Sequence, residues 1–142
     1  MIYNYNTIAK GYTPKSILLY VENDLGNHKE GVNAVKCFDL FRIFIDKLKK
    51  DYPNTPLIVV SLKPSQHKAD QLKDQLLVNA LLEENATAQG YTYIDITKVM
   101  YDEAGNLRTD IFKEDNLHMN AEGYKLWTAI LKPLLIKKVR GE

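Results

Sequence analysis

Three short apolar runs constrain this chain more than any other feature, because each is too short for a buried helix and each leads into a stretch with helical periodicity. Ser16-Ile-Leu-Leu-Tyr-Val21 is entered through Pro14 and ends at the polar Glu22-Asn-Asp24. Leu57-Ile-Val-Val-Ser61 follows Pro56 and stops near Pro64, and Tyr91-Thr-Tyr-Ile-Asp-Ile96 follows Gly90. Apolar runs of this length, bounded by turn residues, read as strands buried on both faces. After the first run, Val35, Phe38, Phe41, Ile45 and Leu48 recur at spacings of three and four, predicting a helix that Asp51-Tyr-Pro-Asn-Thr-Pro56 ends. Leu72, Leu76, Ala80 and Leu81 predict a second helix with a glycine stop at Gly90. The third run leads through a loop with the turn signal Glu103-Ala-Gly-Asn106 to a last helix carrying Tyr124, Trp127, Ile130 and Leu131. Strand and helix alternating in this way predict an α/β fold: a parallel sheet with right-handed crossovers and helices covering it.

The chain has 142 residues, which fits a single domain over 1–142 with one core of ordinary size. Its formal charge of +1 leaves no electrostatic footprint for nucleic acid, so Lys47-Leu-Lys-Lys50 and Lys137-Lys138-Val-Arg140 read as solvated helix faces. The lone Cys37, among Val35, Phe38 and Phe41, reads as a small buried hydrophobe. No apolar run reaches membrane-spanning length, and Met1-Ile-Tyr-Asn-Tyr-Asn lacks the basic start and apolar stretch of a secretory signal. If Met1 is the true start, this places the chain in the cytoplasm.

In open parallel sheets, sites lie beyond the carboxyl ends of the strands. That rule singles out Glu22-Asn23-Asp24 after the first strand and the loop after the third, Lys113-Glu-Asp-Asn-Leu-His118, which runs directly into Met119-Asn-Ala-Glu-Gly-Tyr124. Two readings of the second segment coexist. Asn120 is a helix N-cap and the neighbouring acids favour the positive helix start. Alternatively, Asp115 and His118 are an orienting carboxylate and a base, since an imidazole that takes a proton from a nucleophile works better when a carboxylate fixes its tautomer and stabilises the imidazolium. His28 and His67 have no acid or histidine at i+3 or i+4 on an evident helix and read as exposed. Asp95 reads as a cap or turn for Ile96-Thr-Lys, and Tyr91, Tyr93, Tyr124 and Trp127 as core or pocket-wall residues.

Taken together, these segments resemble the SGNH (GDSL-type) hydrolases. Tyr20-Val-Glu-Asn-Asp24 is similar to that family's third block, usually Gly-x-Asn-Asp after an apolar strand, and Asp115-Asn-Leu-His118 to its fifth, Asp-x-x-His. Pro14-Lys-Ser-Ile-Leu-Leu-Tyr, Ser61-Leu-Lys-Pro-Ser65, Tyr93-Ile-Asp95 and the stretch from Phe112 to Trp127 also agree in order and spacing. The resemblance runs from about Ile2 to Ile136. It implies a three-layer α/β/α, flavodoxin-like domain and hydrolysis of a small-molecule carboxylic ester through a serine acyl-enzyme, with no metal and no organic cofactor. His118 would be the general base, Asp115 its orienter, and Asn23 an oxyanion donor. In acyl-transfer enzymes such a donor is worth of order 3 kcal/mol of barrier.

Two departures from the family pattern shape the expectation. No Gly-Asp-Ser occurs in the chain, and Met1 aligns with the helix before the third block, so the resemblance implies only the last three of five strands, an amino-terminally truncated domain without its nucleophile. Of the serines at 16, 61 and 65, Ser61 alone ends a strand, and it matches a non-catalytic family position. In the third block, Val21 stands where the family has glycine, which restricts the backbone near Asn23. The chain is therefore either a piece of a serine esterase that carries the base, the acid and one oxyanion donor, or a catalytically inactive α/β remnant or interaction module. Loss of a neighbouring strand predicts an unprotected edge over Ile17 to Val21, and self-association through it.

Overall fold

The computed structural model describes residues 2–20, 25 and 32–141. A short 3-10 turn and helix α1 (Tyr5–Ala9) precede strand β1 (Ile17–Leu19). Helix α2 (Ala34–Asp51), strand β2 (Leu57–Val60), helix α3 (Leu72–Gln89), strand β3 (Thr92–Ile94) and helix α4 (Ala121–Arg140) follow, with further 3-10 turns at Gln66–Gln71 and Thr97–Met100. The three strands pair in parallel in the order β1-β2-β3, with Leu18 opposite Ile58 and Val59 opposite Tyr93.

Alternation along β2 divides the interior into two layers. Leu57 and Val59 join a core built from Leu19 and the inner faces of α2 and α3, including Phe38, Phe41, Ile45, Val78 and Leu82. Val60 joins the second core, where Ile96, Met100, Ile111, Phe112 and Met119 meet Leu126, Trp127, Ile130 and Leu131 of α4. Trp127 stands edge-on to Tyr20 at 5.2 Å. The result is the three-layer α/β/α arrangement expected from the sequence. All four residues of β2 are buried, each apolar side chain contributing about 1.5–3 kcal/mol.

The strand ladders are shorter than the apolar runs, and the faces of three helices differ from the sequence pattern. On α2 the buried stripe is Ala34, Cys37, Phe38, Phe41, Phe44, Ile45 and Leu48, while Val35, one position off this i, i+3, i+4 series, is 56% exposed. On α3, Leu76 and Ala80 face outward, and the buried positions are Gln75, Val78, Asn79 and Leu82. The reason is a polar anchor: Asn79 Oδ1 accepts from the Leu62 N–H at 2.7 Å and its Nδ2 donates to the Leu62 carbonyl at 3.0 Å. That pairing extends β2's hydrogen bonding beyond its last ladder residue and turns Asn79 inward. On α4, Gly123 is buried and Tyr124 is exposed rather than part of the core. Gly90 ends α3 with a left-handed φ of 69°, as its position in the sequence predicts.

Candidate active site

The loop after β3 is built by short-range polar contacts. Asp95 Oδ1 accepts from the Thr97 N–H at 2.8 Å and the Thr97 hydroxyl at 2.7 Å, turning the chain out of the strand. An isolated antiparallel bridge pairs Phe112 with Met119, and the Lys113 N–H donates to the His118 carbonyl at 2.8 Å, so the intervening residues form a small closed loop. Inside it, Asn116 adopts a positive φ of 52°, a conformation Asn tolerates better than most residues. Its carbonyl accepts from the His67 N–H at 3.2 Å. His67 lies in the 3-10 turn that the chain reaches after leaving the carboxyl end of β2, so this bond holds the loop at the carboxyl rim of the sheet.

Asp115 and His118 meet within this loop. His118 Nδ1 lies 2.7 Å from Asp115 Oδ2, while Asp115 Oδ1 accepts from the backbone N–H groups of Leu117 at 3.0 Å and His118 at 2.9 Å. Both carboxylate oxygens are thus engaged, and the same short segment supplies all the partners. The ring bond to His118, followed by the two amide bonds, holds the Asp115 carboxyl well below the usual carboxylate range. The His118 side chain is 67% exposed, which leaves the ring open to a ligand. This arrangement can hold an imidazole with its proton on Nδ1 and its Nε2 lone pair available as a base.

The other candidate residues fall elsewhere. Asn23, with Val21, Asp24 and His28, lies outside the described residues. Ser61 is fully buried; its Oγ accepts from the Ile96 N–H at 3.1 Å and sits against the Tyr93 phenol, so it links β2 to the end of β3. Ser65 is buried as well, and the Ser16 hydroxyl donates to Pro56 at the amino end of the sheet. Burial and the nearby Asp95 raise the Tyr93 phenol, and burial pushes Tyr91 up to about 12. His67 is exposed, and among the described residues no group of three His, Cys, Asp or Glu side chains is arranged to hold a metal ion. The left-handed Asn116 is signalled in the sequence only by an Asn directly after Asp in a short loop, and its bond to His67 has no local signal.

The chain matches the model of the GDSL-like lipase/acylhydrolase family over residues 17–126 and belongs to that family. Solved structures share its fold. A Bacteroides fragilis protein assigned as an acylhydrolase superposes with a TM-score of 0.78 at 16% identity, over 97% of this chain and 69% of its own. A GDSL-like lipase from Bacteroides thetaiotaomicron gives 0.72 at 18% identity, over 96% and 69%. A carbohydrate esterase family 3 protein from Talaromyces cellulolyticus gives 0.67 at 17%, over 89% and 60%. The chain therefore spans between 60% and 69% of the length of these structures. No curated protein matches it in sequence. Among the described residues no helix is long and apolar enough to cross a membrane.

Proposed function

We propose that this chain carries the base half of a serine ester hydrolase. In this reading His118 takes the proton from a serine hydroxyl as that oxygen attacks the ester carbonyl, and returns it to the departing alkoxide. Asp115 fixes the tautomer and stabilises the imidazolium, and Asn23 donates to the oxyanion. The observation that carries the reading is the 2.7 Å bond between His118 Nδ1 and Asp115 Oδ2, with the other carboxylate oxygen fixed by two backbone amides. The serine itself is assigned to a Gly-Asp-Ser strand outside these 142 residues, since the serines at 61 and 65 are buried and Ser16 lies at the opposite end of the sheet. The domain read over 1–142 is then partial, and its substrate is a small-molecule ester. Coding sequence upstream of Met1 tests this first: an in-frame Gly-Asp-Ser about one strand and two helices earlier is expected. The chain alone should hydrolyse p-nitrophenyl acetate and butyrate no faster than its His118→Ala variant, whereas the extended protein should turn them over and lose that activity with His118→Ala. A saturable burst from the chain alone, abolished by Ser61→Ala, would overturn the assignment.

A second reading, of the chain as an inactive interaction module, draws on the sheet edge. Among the described residues β1 has a strand partner on one side only; it contains neither charge nor proline, and Leu18 is 38% exposed. Self-association through this strand follows from that edge. Sedimentation velocity should show a mass that rises with concentration and falls with Leu18→Lys. A monomer at every concentration, with the amides of 17–19 protected from exchange, would remove this reading.

A further inference from the structure

We propose that Asn120 is a positioning residue for the Asp115–His118 pair, tying the entrance of the loop to the first turn of α4, from which the loop's exit is fixed. This deepens the reading of His118 as a base and rests on it for its functional weight. The geometry reaches well beyond a helix cap. Asn120 Oδ1 accepts from the N–H groups of Glu122 at 2.9 Å and Gly123 at 3.1 Å, the ordinary N-cap bonds. Its Nδ2 donates in the other direction, to the carbonyls of Asp110 at 2.7 Å and Phe112 at 3.1 Å, and its backbone N–H donates to Ile111 at 3.0 Å. Three consecutive carbonyls of the segment that enters the loop are thus gathered onto the one residue that starts the helix.

Only an amide does both jobs with one short planar group, since it carries an acceptor and two donors. Aspartate caps a helix as well, yet it would set a carboxylate oxygen against the Asp110 and Phe112 carbonyls. Serine caps too, with a single hydroxyl. The helix alone therefore does not decide which good cap stands at position 120, and the entering segment does. Asn33 provides the contrast: it caps α2 by accepting from the Lys36 N–H at 3.0 Å. A second close approach supports the tie. A Cβ on Gly123 would lie 2.6 Å from the Ile111 carbonyl oxygen, so the entering segment rests directly on the first turn of α4. His118 stands two residues before Asn120, its own carbonyl bonded to Lys113 on the entering side. If the two sides part, the loop that holds Asp115 against His118 loses an anchor that lies outside the pair's own bonds.

The test reads the imidazole itself, by long-range proton–nitrogen correlation of His118 in the whole chain at a pH where the ring is neutral. The native chain should hold the Nδ1–H tautomer, with Asp115→Ala marking the uncoupled ring. Asn120→Asp should lower the ratio of Nδ1–H to Nε2–H about tenfold, the weight of one hydrogen bond, while circular dichroism keeps its helical content. Asn120→Ser should act in the same direction and stands in if the aspartate variant does not fold. Asn33→Asp, a cap change on another helix, should leave the ratio as it is. An unchanged ratio in a folded Asn120 variant, or an equal shift in Asn33→Asp, would overturn the proposal. No substrate enters the measurement, so an extended protein that fails to hydrolyse esters would sink the base assignment and leave the positioning result standing.

Discussion

Behind β2 and in the loop before α4, the same kinds of polar side chain are put to different ends. Asn79 and Ser61 are buried, and their oxygens and amide nitrogen are committed to backbone groups of Leu62 and Ile96. In the loop, Asn120 and Asp115 also bind backbone, yet the histidine they frame stays in solvent. Polar satisfaction thus builds rigidity in both places, and only exposure separates a structural hydroxyl from a ring that is open to chemistry. Ser61, at a strand's carboxyl end, has its oxygen engaged in a buried hydrogen bond that ties two strands together.

The largest effect expected from this contrast is at Asn79. Asn79→Ala leaves the buried Leu62 N–H and carbonyl without partners and should destabilise the fold by about 2–4 kcal/mol, read from urea unfolding. A loss within the noise of the measurement would mean that water reaches Leu62 and that this side of the contrast is not dry. Gly123→Ala comes next, because its Cβ meets a backbone oxygen that has little room to move. Overpacking should outweigh the gain in helix propensity and leave a net loss of about 1–2 kcal/mol. A stabilised variant would show that the loop entrance yields freely.

Ser61→Ala should remove the acceptor for the Ile96 N–H and reduce stability by about 1–2 kcal/mol, with ester hydrolysis by the extended protein unchanged. Activity lost in a folded Ser61→Ala variant would move this residue into the site. The smallest effect belongs to the exposed pair. Asp115 is depressed below its ordinary value of 3.8, so its contribution to stability is fully present above that pH and is lost as the pH falls below it. The stability difference between the native chain and Asp115→Asn, followed by thermal unfolding against pH, should therefore shrink as the pH falls below that value. A difference that is unchanged under acid would assign the interaction to another group.

The order of elements, the parallel sheet and the chemistry of the loop are legible in the residues alone. Buried strands need unbroken apolar runs, and a D-x-x-H loop ahead of an Asn cap is a local pattern whose hydrogen bonds close within a few residues. Asp115 and His118 were legible for that reason: every partner of the carboxylate lies within three positions of it. Helix faces were less legible. Val35 and Leu76 are as apolar as the core aliphatics of their own helices yet face outward, and which side of a helix turns inward depends on what waits there. For α3 that is the Leu62 backbone, seventeen residues away from Asn79, whose demand for hydrogen bonds draws a polar side chain into the interior. The engagement of Ser61, the bond from His67 to Asn116, and the double duty of Asn120 were likewise decided by tertiary structure, because each depends on a backbone group that a distant or reversing segment brings within 3.2 Å.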